Sequence, residues 1–475
     1  MELGNRINNK SIYGYGLGNL GYGMILQAMT TYLIFFGTSL LKLPSSVLGV
    51  IISTSVIWDA ISDPIMGTIS DYTRSKRYGR RNLYILIGSA GIAICNAGIW
   101  SISEDWSMSA KLIAMIFGVY GVKTFATIFI TPYMALGSEL SDDYYQRTTI
   151  QSVRTIFFVL GMAFTVVVGM TYFLKSTAEF PVGQMNRAGY MYLGFTVSII
   201  TVITGIMTHI STKKHIPRLI ASISVTHSEK NKNLGKQLKG DIKELLKNRN
   251  YLFLALAYLS TNIASAIIGS IGLHVFTYTF RFSSMTIGIV LGTLFLFNIL
   301  CQPFWIRYAK KHDKRNAAVL ATQLGLVSCL IFVIAVVFKQ QIIEIPYLLL
   351  PFSALAGVSV GGLLTLPLSM IGDTIDLEEY HTGKRSEGLY YGGLTFSYKG
   401  SQAIAIAIVG VLLDFSGFDA HSTVQLASTE FALGLILAVG SLMAFLLTLY
   451  AYKHYNLSHE DIVNVRNKMK EKQNL

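Results

Sequence analysis

The sequence predicts an all-α membrane protein that crosses the bilayer twelve times, as two pseudo-symmetric six-helix halves. Three observations predict it. Of 475 residues, 52% are hydrophobic and 14% charged, well below the roughly 25% charged found in soluble domains. Apolar runs near the ~20 residues needed to span a bilayer recur along nearly the whole chain. Basic residues sort to alternate loops, which is the charge bias that orients membrane helices.

Taken in order, the apolar runs place spans at 14–40, 45–70, 83–103, 108–137, 148–174 and 186–210. The second set lies at 250–280, 283–308, 316–339, 344–373, 390–416 and 430–455. The domain reading is a first half over 1–210, a central loop over 211–249, a second half over 250–455 and a tail over 456–475. An even number of spans puts both termini on one side. With basic residues near span ends counted to the adjoining side, 31 of the 39 fall on the side of the central loop and two lie within spans, Lys123 and Lys399. The remaining six are Lys42, Lys111, Lys175, Arg187, Arg281 and Lys339. The central loop and both termini are therefore expected in the cytoplasm, with the protein in the plasma (cytoplasmic) membrane.

The net charge of +13 sits in short loops between apolar runs, so it points to topology and not to nucleic acid. Cys95, Cys301 and Cys329 fall singly in apolar runs, which implies packing roles and neither disulfide nor zinc. The polar first dozen residues and the long first span predict no cleavable leader. The loops DYTRSKRYGRR and RYAKKHDKRN, after the second and eighth spans, put basic clusters at equivalent places in the two halves. The Lys-rich central loop reads as a tether with a short surface helix around 235–247. In the tail, Ser458 and Asp461 form a capping box ahead of Ile462, Val465 and Met469, predicting a short surface helix.

The chain is organised around WDAISDPIMGTISDYTRSKRYGRR, Trp58 to Arg81. Asp59 and Asp63 are four residues apart and stack on one face of a helix. Carboxylates inside a membrane span are costly and mark ion or substrate paths. Two of them stacked in a low dielectric repel, so a proton or a cation is needed between them. The alternative is a structural ion pair with the loop arginines.

This stretch resembles the signature of the glycoside–pentoside–hexuronide:cation symporters, a branch of the major facilitator superfamily. A second resemblance lies in GDTIDLEEYHTGKRSEGLYYGG after the tenth span, followed by Lys399 in the eleventh. The likeness runs over essentially the full chain in span count, loop spacing and both motifs. It implies the major facilitator fold and import of sugars or glycosides coupled to sodium, lithium or protons. No cofactor is implied beyond that cation, and the fused regulatory domain of some members is not expected. The partners implied are a small-molecule sugar and the lipid bilayer, with the chain working as a monomer.

Residue by residue, the resemblance makes Asp59 and Asp63 the cation carboxylates. Ser62 stands between them, where the melibiose carrier of the family has Asn. Thr127 matches a fourth-helix threonine at that site, and Lys399 matches the eleventh-helix lysine bordering it. Two positions depart from the pattern. The first-helix carboxylate that grips sugar in the melibiose carrier aligns with Gly23, and its fourth-helix carboxylate aligns with Ile130. Losing both argues against a simple galactoside. Lys123, one turn before Thr127, needs an anionic partner near mid-membrane. A substrate carboxylate, as on a hexuronide, is one candidate; an internal aspartate or snorkelling is the other. Arg154 matches an arginine of the family, and with Thr395 it completes the substrate candidates. Tyr390, Tyr391 and Tyr398 lie near Lys399 and are candidates for stacking on a sugar ring or for packing.

The loop charges have a gating reading. Arg74, Arg80 and Arg81 follow the second span; Asp373, Asp376, Glu378, Glu379 and Arg385 lie at the end of the tenth. Facing one another, they would close the cytoplasmic mouth with weak, breakable pairs of roughly 0–1 kcal/mol each. The rival readings are a membrane enzyme and a sensor. D-x-x-x-D at Asp59 and D-x-x-D-x-E-E at Asp373 could hold magnesium for a prenyl diphosphate, as in intramembrane prenyltransferases. A non-transporting sensor on the same scaffold is the third reading. The expected mechanism is alternating access, with the cation and the sugar each raising affinity for the other.

Overall fold

A computed structural model of the chain describes residues 7–73, 75, 77–141, 144–217, 245–382, 387–420, 422, 424–458, 460–465 and 468. Residues 235–244 of the expected surface helix lie outside the described residues, as do Arg74 and Arg385. Among the described residues, ten helices are each long and apolar enough to cross a membrane, and two bent pairs bring the number of spans to twelve. We number the spans in order. The first half comprises α1 (Asn9–Thr31 with Leu33–Leu40), α2 (Ser45–Tyr72), α3 (Asn82–Trp100), α4 (Met108–Glu139), α5 (Tyr144–Val168) and α6 (Arg187–Thr212). The second comprises α7 (Arg249–His274), α8 (Ser284–Leu300 with Gln302–His312), α9 (Lys314–Val337), α10 (Leu350–Thr382), α11 (Glu387–Phe415) and α12 (Ala427–His454). Every apolar run expected to span does form a helix.

The chain divides into two compact units. One holds Met1–Glu229 with the short segments Ser283–Gly288 and Leu413–Val424. The other holds Lys230–Phe282, Ile289–Leu412 and Gln425–Leu475.

In the first unit, small residues let α1 lie directly against two neighbours. In lipid there is no hydrophobic gain from helix association, so close backbone approach and interhelical hydrogen bonds carry it. Gly14, Gly18 and Gly21 face Ser211, Thr208 and Thr201 of α6. Thr208 and Thr201 donate to the carbonyls of Gly14 and Gly21 at 3.3 Å each. On the other side, a Cβ on Gly161 of α5 would meet the Leu20 carbonyl oxygen at 2.2 Å. Tyr15 and Tyr133 stack at 4.4 Å and donate to each other's backbone carbonyls, tying α1 to α4. Asn96 of α3 donates to Gly194 and Ser198 of α6 while accepting from Trp100.

The ends of α1 and α7 are built alike. Each closes in a π turn, Phe36–Leu40 and Val275–Thr279, followed by a basic residue in the left-handed region, Lys42 (φ 60°) and Arg281 (φ 53°). The next amide then reaches back, Leu43 to the Gly37 carbonyl and Phe282 to that of Phe276, both at 2.9 Å. Glycine normally fills such a left-handed cap, and here each basic side chain finds local acceptors. Lys42 donates to the carbonyls of Ser39 and Ala420. Arg281 pairs with Glu430, a buried carboxylate that Lys339 also holds at 2.6 Å.

In the second unit, Trp305 donates to the Val358 carbonyl at 2.9 Å, Ser359 to that of Ala321 at 2.8 Å, and Ser260 and Thr448 join α7 to α12. The tail does form the expected cap. Ser458 and Asp461 bond reciprocally, and the Ser458 donors hold the Asp461 carboxyl below the usual carboxylate range. Ile462 and Leu457 bury into the same core as Tyr251 and Tyr390.

Gly161→Val places two branched methyls where a carbonyl already stands, and overpacking of this kind costs about 1–3 kcal/mol or more. The expected outcome is a lower melting temperature in detergent and loss of monodisperse protein on size-exclusion chromatography.

Candidate functional site

Asp59, Ser62 and Asp63 share the inner face of α2, half-buried and one turn apart. Thr127 of α4 is buried opposite them. Its Oγ1 lies 2.7 Å from Asp59 Oδ1 and 2.9 Å from Asp63 Oδ1. Ser62 Oγ lies 3.2 Å from Thr127 Oγ1 and 3.2 Å from the Asp59 carbonyl oxygen. A threonine hydroxyl carries a single proton, so Thr127 serves one carboxylate at a time. Four side-chain oxygens thus converge, with the Thr127 and Ser62 hydroxyls as donors among them. Two full negative charges about 5 Å apart repel by about 3 kcal/mol at an effective dielectric of about 20. The arrangement is suited to a small cation with oxygen ligands or to a shared proton.

Beside it, Trp58 Nε1 donates to Thr124 Oγ1 at 2.9 Å, fixing the register of α2 on α4. Lys123 is half-buried on α4, one turn before Thr127. Arg154 of α5 is half-buried, with its guanidinium against the Met134 thioether, and Asn19 of α1 donates to its carbonyl at 3.2 Å.

The position of Gly23 is more restrictive than its identity implies. A Cβ there would come within 2.4 Å of the Phe158 carbonyl oxygen. The first-helix carboxylate of the melibiose carrier is therefore lost together with the space it would occupy.

On α11, Lys399 is half-buried and Thr395 exposed, and the Thr395 hydroxyl donates to the Tyr391 carbonyl of its own helix at 3.0 Å. Tyr390 is buried edge-on against Tyr251 at 5.1 Å and accepts from Asn248, which also donates to Glu378 at 2.9 Å. Of its two readings, packing is the one Tyr390 takes.

Three of the loop charges, Arg80, Arg81 and Asp373, have ion pairs within their own half. Arg80 and Arg81 both pair with Glu139 at the end of α4, at 2.7 and 2.8 Å, and Arg81 also donates to Ser70 of α2. Asp373 pairs with Lys314 at 2.6 Å. Glu139 and Lys314 were not among the residues singled out from sequence. Their signal was the equivalent position of the two clusters in the repeat. The aspartate pair and Thr127 belong to the first unit, and Lys399, Asp373 and Asp376 to the second.

The profile of the MFS/sugar transport protein family matches residues 14–459. The uncharacterized symporter YnaJ of Bacillus subtilis (strain 168) is 27% identical over 463 residues, covering 95% of this chain and 92% of its own. The glucuronide carrier protein homolog of Escherichia coli (strain K12) is 20% identical over 479 residues, covering 100% and 99%. Among solved structures, a D-xylose–proton symporter superposes with a TM-score of 0.65 at 14% identity, over 92% of this chain and 96% of that one. At that identity the likeness speaks for the fold alone, and the fold is that of the major facilitator transporters. With the family profile running nearly from end to end, the enzyme reading falls away: the chain is a multi-pass membrane transporter and belongs to the glycoside–pentoside–hexuronide:cation symporter branch of the MFS/sugar transport family.

Proposed function

We propose that the protein couples the inward movement of a cation to import of an acidic sugar or glycoside of the hexuronide class. The cation is sodium or a proton, and it sits among Asp59, Ser62, Asp63 and Thr127. The observation that carries the reading is the single Thr127 hydroxyl within hydrogen-bond reach of both carboxylates. An added positive charge relieves their repulsion and draws α2 and α4 together. A substrate bound nearby then gains from that ordering, and by linkage it raises cation affinity by the same factor.

The substrate class rests on what the site lacks and what it holds. Gly23 and Ile130 offer no carboxylate to grip sugar hydroxyls, and the Gly23 side-chain position is filled by backbone. Lys123 and Arg154 bring positive charge on α4 and α5 of the first unit, and Lys399, on α11 of the second, is a substrate candidate through the family resemblance alone. Cations of this kind bind carboxylates with charge-assisted hydrogen bonds. The glucuronide carrier homolog among the relatives fits that chemistry. The basic loops favour cytoplasmic termini and a cytoplasmic central loop, and the bacterial relatives fit a cytoplasmic-membrane location.

Uptake into proteoliposomes, with sodium and proton gradients imposed separately and labelled glucuronides compared with neutral glycosides, tests the whole reading. Accumulation of the acidic sugar under one of the two gradients is expected; uptake indifferent to both would overturn it. Asp63→Asn is expected to abolish accumulation while leaving exchange of substrate across the membrane.

Thr127→Val keeps the shape of the side chain and removes the hydroxyl. Loss of a hydrogen bond to a charged group, worth about 1.5–3 kcal/mol, predicts at least a ~10-fold weaker half-saturation for the cation. Lys123→Met is expected to lower the preference for charged over neutral glycosides, read as a ratio of kcat/KM. An unchanged ratio would transfer the role to Arg154 or Lys399.

A further inference from the structure

The second half contains a copy of the cation site in which every charged group has become neutral. SSVLGVIISTSVIWDAISDP, residues 45–64, aligns without a gap on SMTIGIVLGTLFLFNILCQP, residues 284–303. Serine, glycine, threonine and proline recur at the same places. In that register Asp59 corresponds to Asn298, Ser62 to Cys301, Asp63 to Gln302 and Pro64 to Pro303. The partner helices agree independently. Glu139 ends α4 holding Arg80 and Arg81, and Asp373, nine residues before the end of α10 at Thr382, holds Lys314. Thr127 stands twelve residues before Glu139, and twelve residues before Asp373 stands Gly361.

One bond of the copy matches the original, and the others are replaced. Ser62 Oγ donates to the Asp59 carbonyl at 3.2 Å, and Cys301 Sγ donates to the Asn298 carbonyl at 3.2 Å. Where Asp63 meets α4 through an acceptor, Gln302 meets α10 through a donor. Its Nε2 reaches the Asn298 and Gly361 carbonyl oxygens, each at 3.1 Å. An amide nitrogen carries two protons, so both carbonyls are served. The place of the Thr127 side chain is closed as well. A Cβ on Gly361 would meet Cys301 Sγ at 2.4 Å and the Asn298 oxygen at 2.8 Å. α8 is also bent by 44° at this point, whereas α2 runs unbroken through Pro64.

We infer that Asn298, Cys301, Gln302 and Gly361 form a self-filled counterpart of the cation site. The Gln302 amide bridges α8 to α10 as a cation would bridge α2 to α4, and the protein binds one cation per chain. The inference rests on the cation reading of Asp59 and Asp63 for its stoichiometry and on the second half alone for the role of Gln302. The role assigned to Gln302 is a positioning one, holding α8 to α10.

Radiolabelled sodium binding to the purified full-length chain, with melting temperature measured alongside, tests both parts. The wild type is expected to bind one sodium ion and Asp63→Asn none. Gln302→Met is expected to keep the one ion while melting a few degrees lower, since the Asn298 and Gly361 carbonyls each lose one donor and the amide bridge between α8 and α10 is gone. Gln302→Glu sets a carboxylate against two carbonyl oxygens and is expected to acquire a need for positive charge. That need reads as two bound sodium ions. If the new carboxyl instead takes a proton, it reads as stability present at low pH and lost as pH rises, a loss the wild type does not show.

Two ions on the wild type overturn the inference. So does loss of sodium binding or an unchanged melting temperature in Gln302→Met, or a Gln302→Glu chain that shows neither change. A wild type that binds no sodium and shows no proton coupling defeats the proposed function instead. The melting behaviour of the two Gln302 variants still decides the role of the amide.

Discussion

One hydroxyl proton shared between two carboxylates is the constraint from which the functional account follows. Burial makes it consequential. Bulk water would screen Asp59 and Asp63 and solvate each at little cost, whereas in a membrane span neither remedy is freely available. Thr127 lies within reach of either carboxylate and has one proton to give. In the proposed function, the helix pair answers this with a demand for one further positive charge, the coupling cation. A transporter can use such a demand, because meeting it changes how tightly α2 and α4 are held.

Around that demand the rest of each half is made stiff. Glycines on α1 bring backbone against backbone on α5 and α6. Two arginines hold the end of α4 to the loop after α2, and Lys314 holds the end of α10 in the same way. These clamps tie helices within a half and so let each half behave as one body. The sequence reading gave the same arginines a role across the mouth. The pairs found within each half supply a structural duty that any gating role would have to share.

Much of this was readable in advance, for physical reasons. Twelve apolar runs of membrane length become helices because lipid leaves the backbone no other partner. The spacing of Asp59 and Asp63 announces a shared face, and the resemblance to a symporter family named Thr127. What was not readable depends on distances between segments far apart in sequence. Glu139 becomes the anchor of Arg80 and Arg81 only once α3 and α4 fold back as a hairpin. Gly23 reads as a missing carboxylate; that its side-chain space is filled by the Phe158 carbonyl appears only in three dimensions. The copy at Asn298 and Gln302 was present in the letters, but amides carry no charge to draw attention to them.

The most direct test of the central claim is difference infrared spectroscopy on the purified protein, reading the carboxyl bands as sodium is added or pH is lowered. If the aspartate pair takes up a cation, one of the two perturbations shifts carboxylate or protonated-carboxyl bands, and Asp63→Asn removes that shift. Bands unmoved by both, or moved equally in wild type and Asp63→Asn, would contradict it.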